Sequence, residues 1–86
     1  MAMTLKEQFE QAAKDALELP DKPSTEELLQ LYAFYKQGKE GDVHGSRPGM
    51  LDLKGRKKFD AWSAIKGTTK DDAMQQYIAL VRDLQN

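Results

Sequence analysis

The stretch GKEGDVHGSRPG, residues 38 to 49, decides the fold of this 86-residue chain. It carries four glycines and one proline between two segments of helical periodicity, which is typical of a long loop. A dozen residues reach about 40 Å when extended, whereas a helix of fifteen residues is about 23 Å long. The loop can therefore cross the length of a helix, and the helices on its two sides can run in the same direction.

Four helices are predicted outward from this loop. The second helix spans residues 24–38 and opens with a capping box, and the first spans residues 4–19 and stops before a proline. The third is expected from residue 51 to 65, and a fourth, capped at residues 68–72, carries an apolar stripe as far as residue 84. The other connections are short and favour antiparallel neighbours. We therefore expect an all-α, up-down-down-up four-helix bundle with a long crossover loop between helices 2 and 3, in one domain of residues 1–86.

The composition is that of an ordinary globular protein, with 40% apolar and 31% charged residues. Because the chain has no cysteine and one histidine, we expect neither disulfides nor a metal site. The first fourteen residues show no leader pattern, and the longest apolar-rich stretch, residues 28–35, is far shorter than the roughly 20 residues that span a bilayer. We expect a cytoplasmic protein without stable membrane insertion.

Positive charge is concentrated in one place. Lys54, Arg56, Lys57 and Lys58 fall within five positions, although the formal net charge of the chain is −1, so the remainder carries −5. A nucleic-acid-binding protein is more often basic overall. The local charge therefore favours a compact anion over a nucleic acid.

A lysine interrupts the apolar stripe of the second helix. Since a helix turns about 100° per residue, Lys36 falls on the same arc as Leu28, Leu29, Tyr32 and Tyr35. A lysine at a stripe edge usually extends its ammonium into water, whereas an unpaired interior charge is strongly unfavourable. Lys36 is therefore expected to be either exposed or bound to an anion.

The third and fourth helices repeat this pattern. Lys58 falls on an arc with Leu51 and Trp62, while Arg56 points away, and Tyr77 lies in the middle of the fourth stripe with a hydroxyl that needs a partner if buried. Ammonium groups, phenols and aromatic faces together suit a nucleotide phosphate with a stacked base. The apolar surface around them suits a fatty chain.

Catalytic patterns are weak. The serines at 24, 46 and 63 have only His44 as a possible base, and the glycine-rich loop lacks the dinucleotide, Walker and calcium-binding patterns. We expect no enzyme activity, and we expect His44 and Arg47 to be solvated in a crossover linker.

Three stretches, taken in their order along the chain, resemble the acyl-CoA-binding protein family: YAFYKQ at residues 32–37, RPGMLDLKGRKKFDAW at 47–62 and KGTTKDDAMQQY at 66–77. The similarity runs from about residue 9 to residue 84. The resemblance implies a bundle that holds one long-chain fatty acyl-CoA ester in a surface bowl and transports or buffers it in the cytosol without reacting.

The resemblance also implies roles for individual residues. Tyr35 would stack on the adenine, Tyr32, Lys36 and Lys58 would surround the ribose 3′-phosphate, and Tyr77 would lie near the pantetheine. The implied head-group residues are Tyr32, Tyr35, Lys36, Lys54, Lys58 and Tyr77, with Lys54 as a supporting cation. The residues implied to line the acyl chain are Phe9, Ala13, Leu28 and Leu29.

Two positions depart from the family pattern. Many relatives have tryptophan where Phe59 stands, and some have lysine where Leu17 stands, a position for which Lys14 could substitute. Neither departure removes a central ligand residue.

The expected partner is a long-chain acyl-CoA, bound as a ligand and not as a cofactor. We expect no nucleic-acid partner and a monomer that makes transient contact with acyl-CoA-using enzymes or membranes. The rival interpretations are nucleic-acid binding through residues 54–58, a cleft for a partner helix and a thioesterase.

Overall fold

The computed structural model describes residues 2–86, which form four α-helices. They are α1 Leu5–Asp15, α2 Thr25–Glu40, α3 Leu53–Ala64 and α4 Lys70–Gln85, with a short 3-10 turn, Ala16–Glu18, after α1. No strand occurs within residues 2–86, so the predicted all-α class is confirmed. The single domain of residues 1–86 remains a prediction, and Met1 lies outside the described residues.

Side-chain caps fix where three of the helices begin. The hydroxyls of Thr4 and Ser24 accept hydrogen bonds from the backbone N–H of Glu7 and Glu27, both at 3.1 Å, and each glutamate accepts one in return from the cap backbone. Thr69 caps α4 through a single such bond. These caps satisfy backbone donors that have no partner within the helix, so the predicted starting points are confirmed.

Helix α2 continues beyond its predicted end at Gly38 and stops at Glu40. Gly38 is buried inside the helix, where an added Cβ atom would lie only 3.1 Å from both Met74 Cγ and Phe9 Cζ. The helix ends instead at Gly41, whose φ of +83° suits glycine. The predicted end was wrong because Gly38 serves close packing between helices, while a later glycine serves as the stop.

Helix α3 begins at Leu53, two residues after the predicted start. Asp52 determines this start, because its carboxylate accepts a hydrogen bond from the backbone N–H of Gly55 at 2.9 Å. Leu51 therefore precedes the helix, and its side chain is fully exposed.

Helix α3 buries less of the predicted arc than expected. Trp62 is buried as expected, but Lys58 is exposed, and Arg56, expected to point away, has its Nε atom buried without a hydrogen-bond partner. Leu51 lies outside the helix and Lys58 lies at the exposed edge of the arc, so of these three residues only Trp62 is buried.

Helices α2 and α3 run in the same direction. Trp62, in the last turn of α3, donates a hydrogen bond from Nε1 to the carbonyl of Gly41, just after α2, at 2.9 Å. One turn earlier in α3, the Lys58 ammonium lies 5.3 Å from the ring centroid of Tyr32, near the middle of α2. Both helices therefore end on the same side of the molecule.

The two outer helices complete the up-down-down-up arrangement. Gln37, near the end of α2, donates a hydrogen bond to the Thr68 carbonyl just before α4 at 2.7 Å, so α4 returns antiparallel to α2. Helix α1 also runs antiparallel to α2, because Phe9 in its first half packs near Gly38 at the far end of α2. The predicted topology is confirmed.

Helix α4 carries the core, because α1 and α2 both pack against it, whereas α3 packs against α2. The buried cluster consists of Phe9, Ala12, Leu31, Tyr77, Ile78 and Val81. Helix α3 contributes no side chain to this cluster and is attached at the periphery. This arrangement leaves a groove between α1 and α2 above α4.

A buried polar network fastens α3 to the rest of the bundle. Gln37 is fully buried; its Oε1 accepts a hydrogen bond from Trp62 Nε1 at 3.0 Å, and its Nε2 donates to Asp42 Oδ1 at 2.9 Å. The same Asp42 oxygen accepts from the backbone N–H of Gly67 at 2.8 Å. One side chain of α2 thus links α3, the crossover loop and the turn before α4.

The crossover loop is also held by side chains that we expected to be solvated. Arg47 donates two hydrogen bonds to Asp60 of α3, at 2.9 and 2.8 Å. His44 packs edge-on against Trp62, with 5.2 Å between ring centroids, and its Nε2 lies 3.0 Å from Glu40 Oε1. Both side chains are exposed, as expected, but they anchor the loop to the helices.

Replacing the buried amide tests the network. In the variant Gln37→Leu the Thr68 carbonyl loses its donor in a buried setting, so we expect the free energy of unfolding to fall by about 1–3 kcal/mol. Gln30→Leu, on an exposed position of the same helix, is the matched control and should change it by less than about 0.5 kcal/mol. Urea denaturation of both variants measures this difference, and equal stabilities would show that the network is dispensable.

Acid should weaken the same junction. Hydrogen bonds from the Gly67 backbone and from the Gln37 side chain hold the pKa of Asp42 below its ordinary value of 3.8. The stabilisation from the ionised carboxylate is therefore present above that unfolded-state pKa and is lost as pH falls through the lower folded-state pKa. We expect the stability gap between the protein and Asp42→Asn to narrow below about pH 3.8 in denaturation experiments. A gap that stays constant with pH contradicts this origin.

Candidate ligand-binding site

The groove between α1 and α2 contains two adjoining hollows. The first hollow has a volume of about 520 Å³ and is lined mainly by apolar and aromatic side chains. Prominent among them are Ala13, Leu28, Leu31, Tyr32, Tyr35 and Tyr77. The second hollow, of about 680 Å³, lies towards the start of α1 and α4, where Phe9 and Met74 contribute to its lining.

Three aromatic rings pack where the hollows meet. Phe9 stacks on Tyr35 with ring centroids 5.3 Å apart and meets Tyr77 edge-on at 5.2 Å, while Tyr35 and Tyr77 are 5.7 Å apart. Such pairs each contribute about 0.5–1.5 kcal/mol beyond their burial and fix the orientation of the rings. Tyr35, which lines both hollows, is therefore held in place by the core.

Tyr77 places a phenol in the first hollow. Its side chain is buried, and this burial raises the pKa of Tyr77 above its ordinary value of 10.0, with a smaller contribution from Tyr35. The hydroxyl therefore stays protonated at neutral pH and can donate a hydrogen bond.

Lys36 has two partners among the side chains of the protein. Its ammonium forms an ion pair with Glu40, one turn later in α2, and lies 5.1 Å from the ring centroid of Trp62. The hydrogen bond that Lys36 donates to Glu40 raises the pKa of Lys36 and lowers the pKa of Glu40. Lys36 is thus half-buried and neutralised by a carboxylate of its own helix. The stripe had suggested instead that Lys36 is either exposed or bound to an anionic ligand.

The two α3 lysines implied for the head group, Lys54 and Lys58, are exposed. The Lys58 ammonium lies over the ring of Tyr32, which lines the first hollow, so Lys58 borders that hollow. Lys54 lies one turn earlier on α3. Lys36 and Lys58 therefore lie on the α3 side of α2, next to the first hollow and not inside it.

The residues implied for the acyl chain are divided between the hollows. Leu28 lines the first hollow, Phe9 lines the second, and Ala13 lines both, whereas Leu29 belongs to neither lining. Leu29 sits half-buried on α2.

Several lining residues were not predicted as site residues. In the first hollow these are Leu31, Ala16, Leu17 and Lys14, and in the second they include Lys6, Lys39, Lys70 and Met74. The one sequence signal that could have identified any of them is the apolar stripe of the second helix, which contains Leu31. The lysines of the second hollow come from three different helices, and no local pattern connects them.

A small helical bundle with an aromatic and apolar hollow bordered by ammonium groups is suited to a ligand that combines a hydrocarbon chain with an anionic head. Within residues 2–86, no group of three or more His, Asp or Glu side chains is placed to hold a metal ion, and no helix combines the length and apolar character needed to cross a bilayer.

Comparisons with known proteins agree with this class. The family sequence model described as "Acyl CoA binding protein" matches residues 6–81. The chain is 51% identical over 83 residues to an acyl-CoA-binding protein homolog of Manduca sexta, covering 95% of this chain and 92% of the relative. It is also 51% identical over 76 residues to the acyl-CoA-binding protein of Saccharomyces cerevisiae, covering 88% and 87%.

The fold matches as well. The crystal structure of acyl-CoA-binding protein 2 of Oryza sativa superposes with a TM-score of 0.90 at 47% identity, covering 94% of this chain and 90% of that one. The chain belongs to the acyl-CoA-binding protein family. Members of this family bind acyl-CoA as a ligand and transport or buffer it without catalysis, which confirms the predicted non-enzymatic function.

Proposed function

We propose that this chain binds one long-chain acyl-CoA ester in the first hollow and carries it through the cytoplasm as a monomer. The observation that supports this proposal is the convergence of Tyr32, Tyr35 and Tyr77 with Leu28 on one hollow, with the Lys58 ammonium against Tyr32 at its border. An apolar bed beside phenols and an accessible cation suits a chain linked to a phosphorylated head.

The head group would lie on the α3 side of the first hollow. The adenine would stack on Tyr35, and the ribose 3′-phosphate would lie among Tyr32, Lys36 and Lys58. The phosphate would then share or replace Glu40 as the partner of Lys36, which keeps that ammonium paired throughout. Lys54, exposed one turn before Lys58, would act as a supporting cation through long-range attraction.

The protonated Tyr77 would lie near the pantetheine and the acyl end, where its hydroxyl could donate to a carbonyl oxygen. The acyl chain would run over Ala13 and Leu28 towards Phe9, with Leu29 supporting α2 from outside the hollow. Transient contact with acyl-CoA-using enzymes or membranes is part of the proposal, and exposed Met50, four residues before the basic stretch of residues 54–58, supports it.

The acyl chain should dominate the affinity. Burying about fourteen methylenes at about 0.8 kcal/mol each gives roughly 11 kcal/mol before the costs of association, whereas each charge-assisted hydrogen bond contributes about 1.5–3 kcal/mol. The free head group should therefore bind weakly.

Titration calorimetry tests the ligand class. We expect palmitoyl-CoA, below its micelle concentration, to bind at one site, and free CoA to bind at least about a hundredfold more weakly because it lacks the chain. A short oligonucleotide should give no heat, since the basic stretch is too local to follow a phosphate backbone. No heat from palmitoyl-CoA contradicts the proposal, and oligonucleotide binding would reassign residues 54–58 to nucleic acid.

The role of Lys58 can be measured separately. Lys58→Ala removes a charge-assisted contact with the phosphate, so the affinity for palmitoyl-CoA should fall by about 1.5–3 kcal/mol. Lys57→Ala removes the same charge from the adjacent exposed position and is the matched control, expected to change the affinity by less than about 0.5 kcal/mol. Circular dichroism should show both variants folded, and an equal effect of the two substitutions would show that Lys58 acts only through net charge.

A further inference from the structure

The second hollow gathers positive charge that the acyl-CoA assignment does not use. Four lysines from three helices line it, accompanied by the single carboxylate of Glu10. The lysines are Lys6, Lys14, Lys39 and Lys70. Lys6, Lys39 and Lys70 do not appear among the residues implied for the CoA head group, and Lys14 was named only as a substitute for the lysine that some relatives have where Leu17 stands. The chain as a whole carries a net charge of only −1.

These ammonium groups lack neutralising partners. Within residues 2–86, none of the four lies within 4.0 Å of a carboxylate oxygen, in contrast to Lys36 with Glu40 and Arg47 with Asp60. The partner that the structure shows is uncharged, since the Lys39 ammonium donates a hydrogen bond to the Tyr35 hydroxyl at 3.4 Å and lies 5.6 Å from the centroid of that ring. Four cations facing one hollow repel one another, and a bound anion relieves that repulsion.

The base of the second hollow is apolar. Phe9 is buried against it, Met74 lies beside Phe9, and Gly38 contributes only backbone. A hydrated inorganic anion gains little from such a surface, whereas the carbon atoms next to an esterified anion cover it.

The two hollows also adjoin. Ala13, Lys14 and Tyr35 line both of them, so a chain that passes over these side chains reaches from the second hollow to the apolar side chains around Leu28. A molecule anchored by its anion in the second hollow can therefore extend a chain into the first.

We propose that the second hollow binds the phosphate monoester of a single-chain lipid whose hydrocarbon chain lies in the first hollow. A phosphate monoester carries a charge of about −1.5 to −2 and three acceptor oxygens, which suits several lysines better than a single carboxylate does. Because the chain region is shared, such a lipid and an acyl-CoA exclude each other. The proposal does not depend on how the CoA head group is bound.

The first experiment uses 1-oleoyl-glycerol 3-phosphate below its micelle concentration. We expect it to bind at least about tenfold more tightly than either 1-oleoyl-glycerol, which has the chain without the phosphate, or glycerol 3-phosphate, which has the phosphate without the chain. It should also displace palmitoyl-CoA competitively. Equal binding of 1-oleoyl-glycerol overturns the anion site, and equal binding of glycerol 3-phosphate overturns the assignment to a lipid.

The second experiment locates the site. The double variant Lys6→Gln/Lys70→Gln should weaken binding of 1-oleoyl-glycerol 3-phosphate by about tenfold, while Lys22→Gln/Lys57→Gln, which removes the same charge from exposed positions outside both hollows, should not. Palmitoyl-CoA affinity should change little in both. Equal effects of the two double variants on the lipid phosphate overturn the proposal. If the unaltered protein binds 1-oleoyl-glycerol 3-phosphate but not palmitoyl-CoA, the proposed acyl-CoA function is refuted and the proposal for the second hollow stands.

Discussion

The hydrogen bonds of the Trp62 indole to Gln37 and Gly41 are the interactions on which the position of α3 depends. Helix α3 adds no side chain to the main core cluster, and Trp62 is its single buried residue. A helix with so little buried apolar surface is located by directional contacts more than by area. The Trp62 indole therefore determines where the lysines of α3 lie beside the first hollow.

The same junction explains what the parallel arrangement of α2 and α3 achieves at the border of the first hollow. Asp42 ties the start of the crossover loop to the turn before α4, and the Arg47–Asp60 pair ties its middle to α3. With the loop held at both places, Lys58 on α3 lies beside Tyr32 on α2. An antiparallel return through a short turn would have placed the other end of α3 there, so the long loop determines which residues share the border of the hollow.

Sequence reasoning correctly predicted three of the helix starts, which contacts between neighbouring residues determine. The starts of α1, α2 and α4 follow from hydroxyl caps that contact residues three positions away, and these were correct. The end of α2 was not predictable, because Gly38 resembles a helix stop and is instead buried by Phe9 and Met74, which come from other helices. Likewise, the stripe that contained Lys36 indicated an unusual cation, but Glu40, four residues later on the same face, lay outside the predicted helix, so its ion pair with Lys36 was not expected.

Charge on this molecule divides into two groups that the sequence does not distinguish. Of the conspicuous cations near the α2–α3 junction, Lys36 is paired with Glu40, and Lys58 is exposed with its ammonium over the ring of Tyr32. The lysines of the second hollow are scattered along the chain, and each reads as an ordinary surface residue; the packing of α1 and α2 on α4 brings them together around one apolar base. Paired cations can exchange one partner for another at little electrostatic cost, whereas unneutralised ones gain a partner outright. An additional anion is therefore expected to gain more from the lysines of the second hollow than from the already paired Lys36.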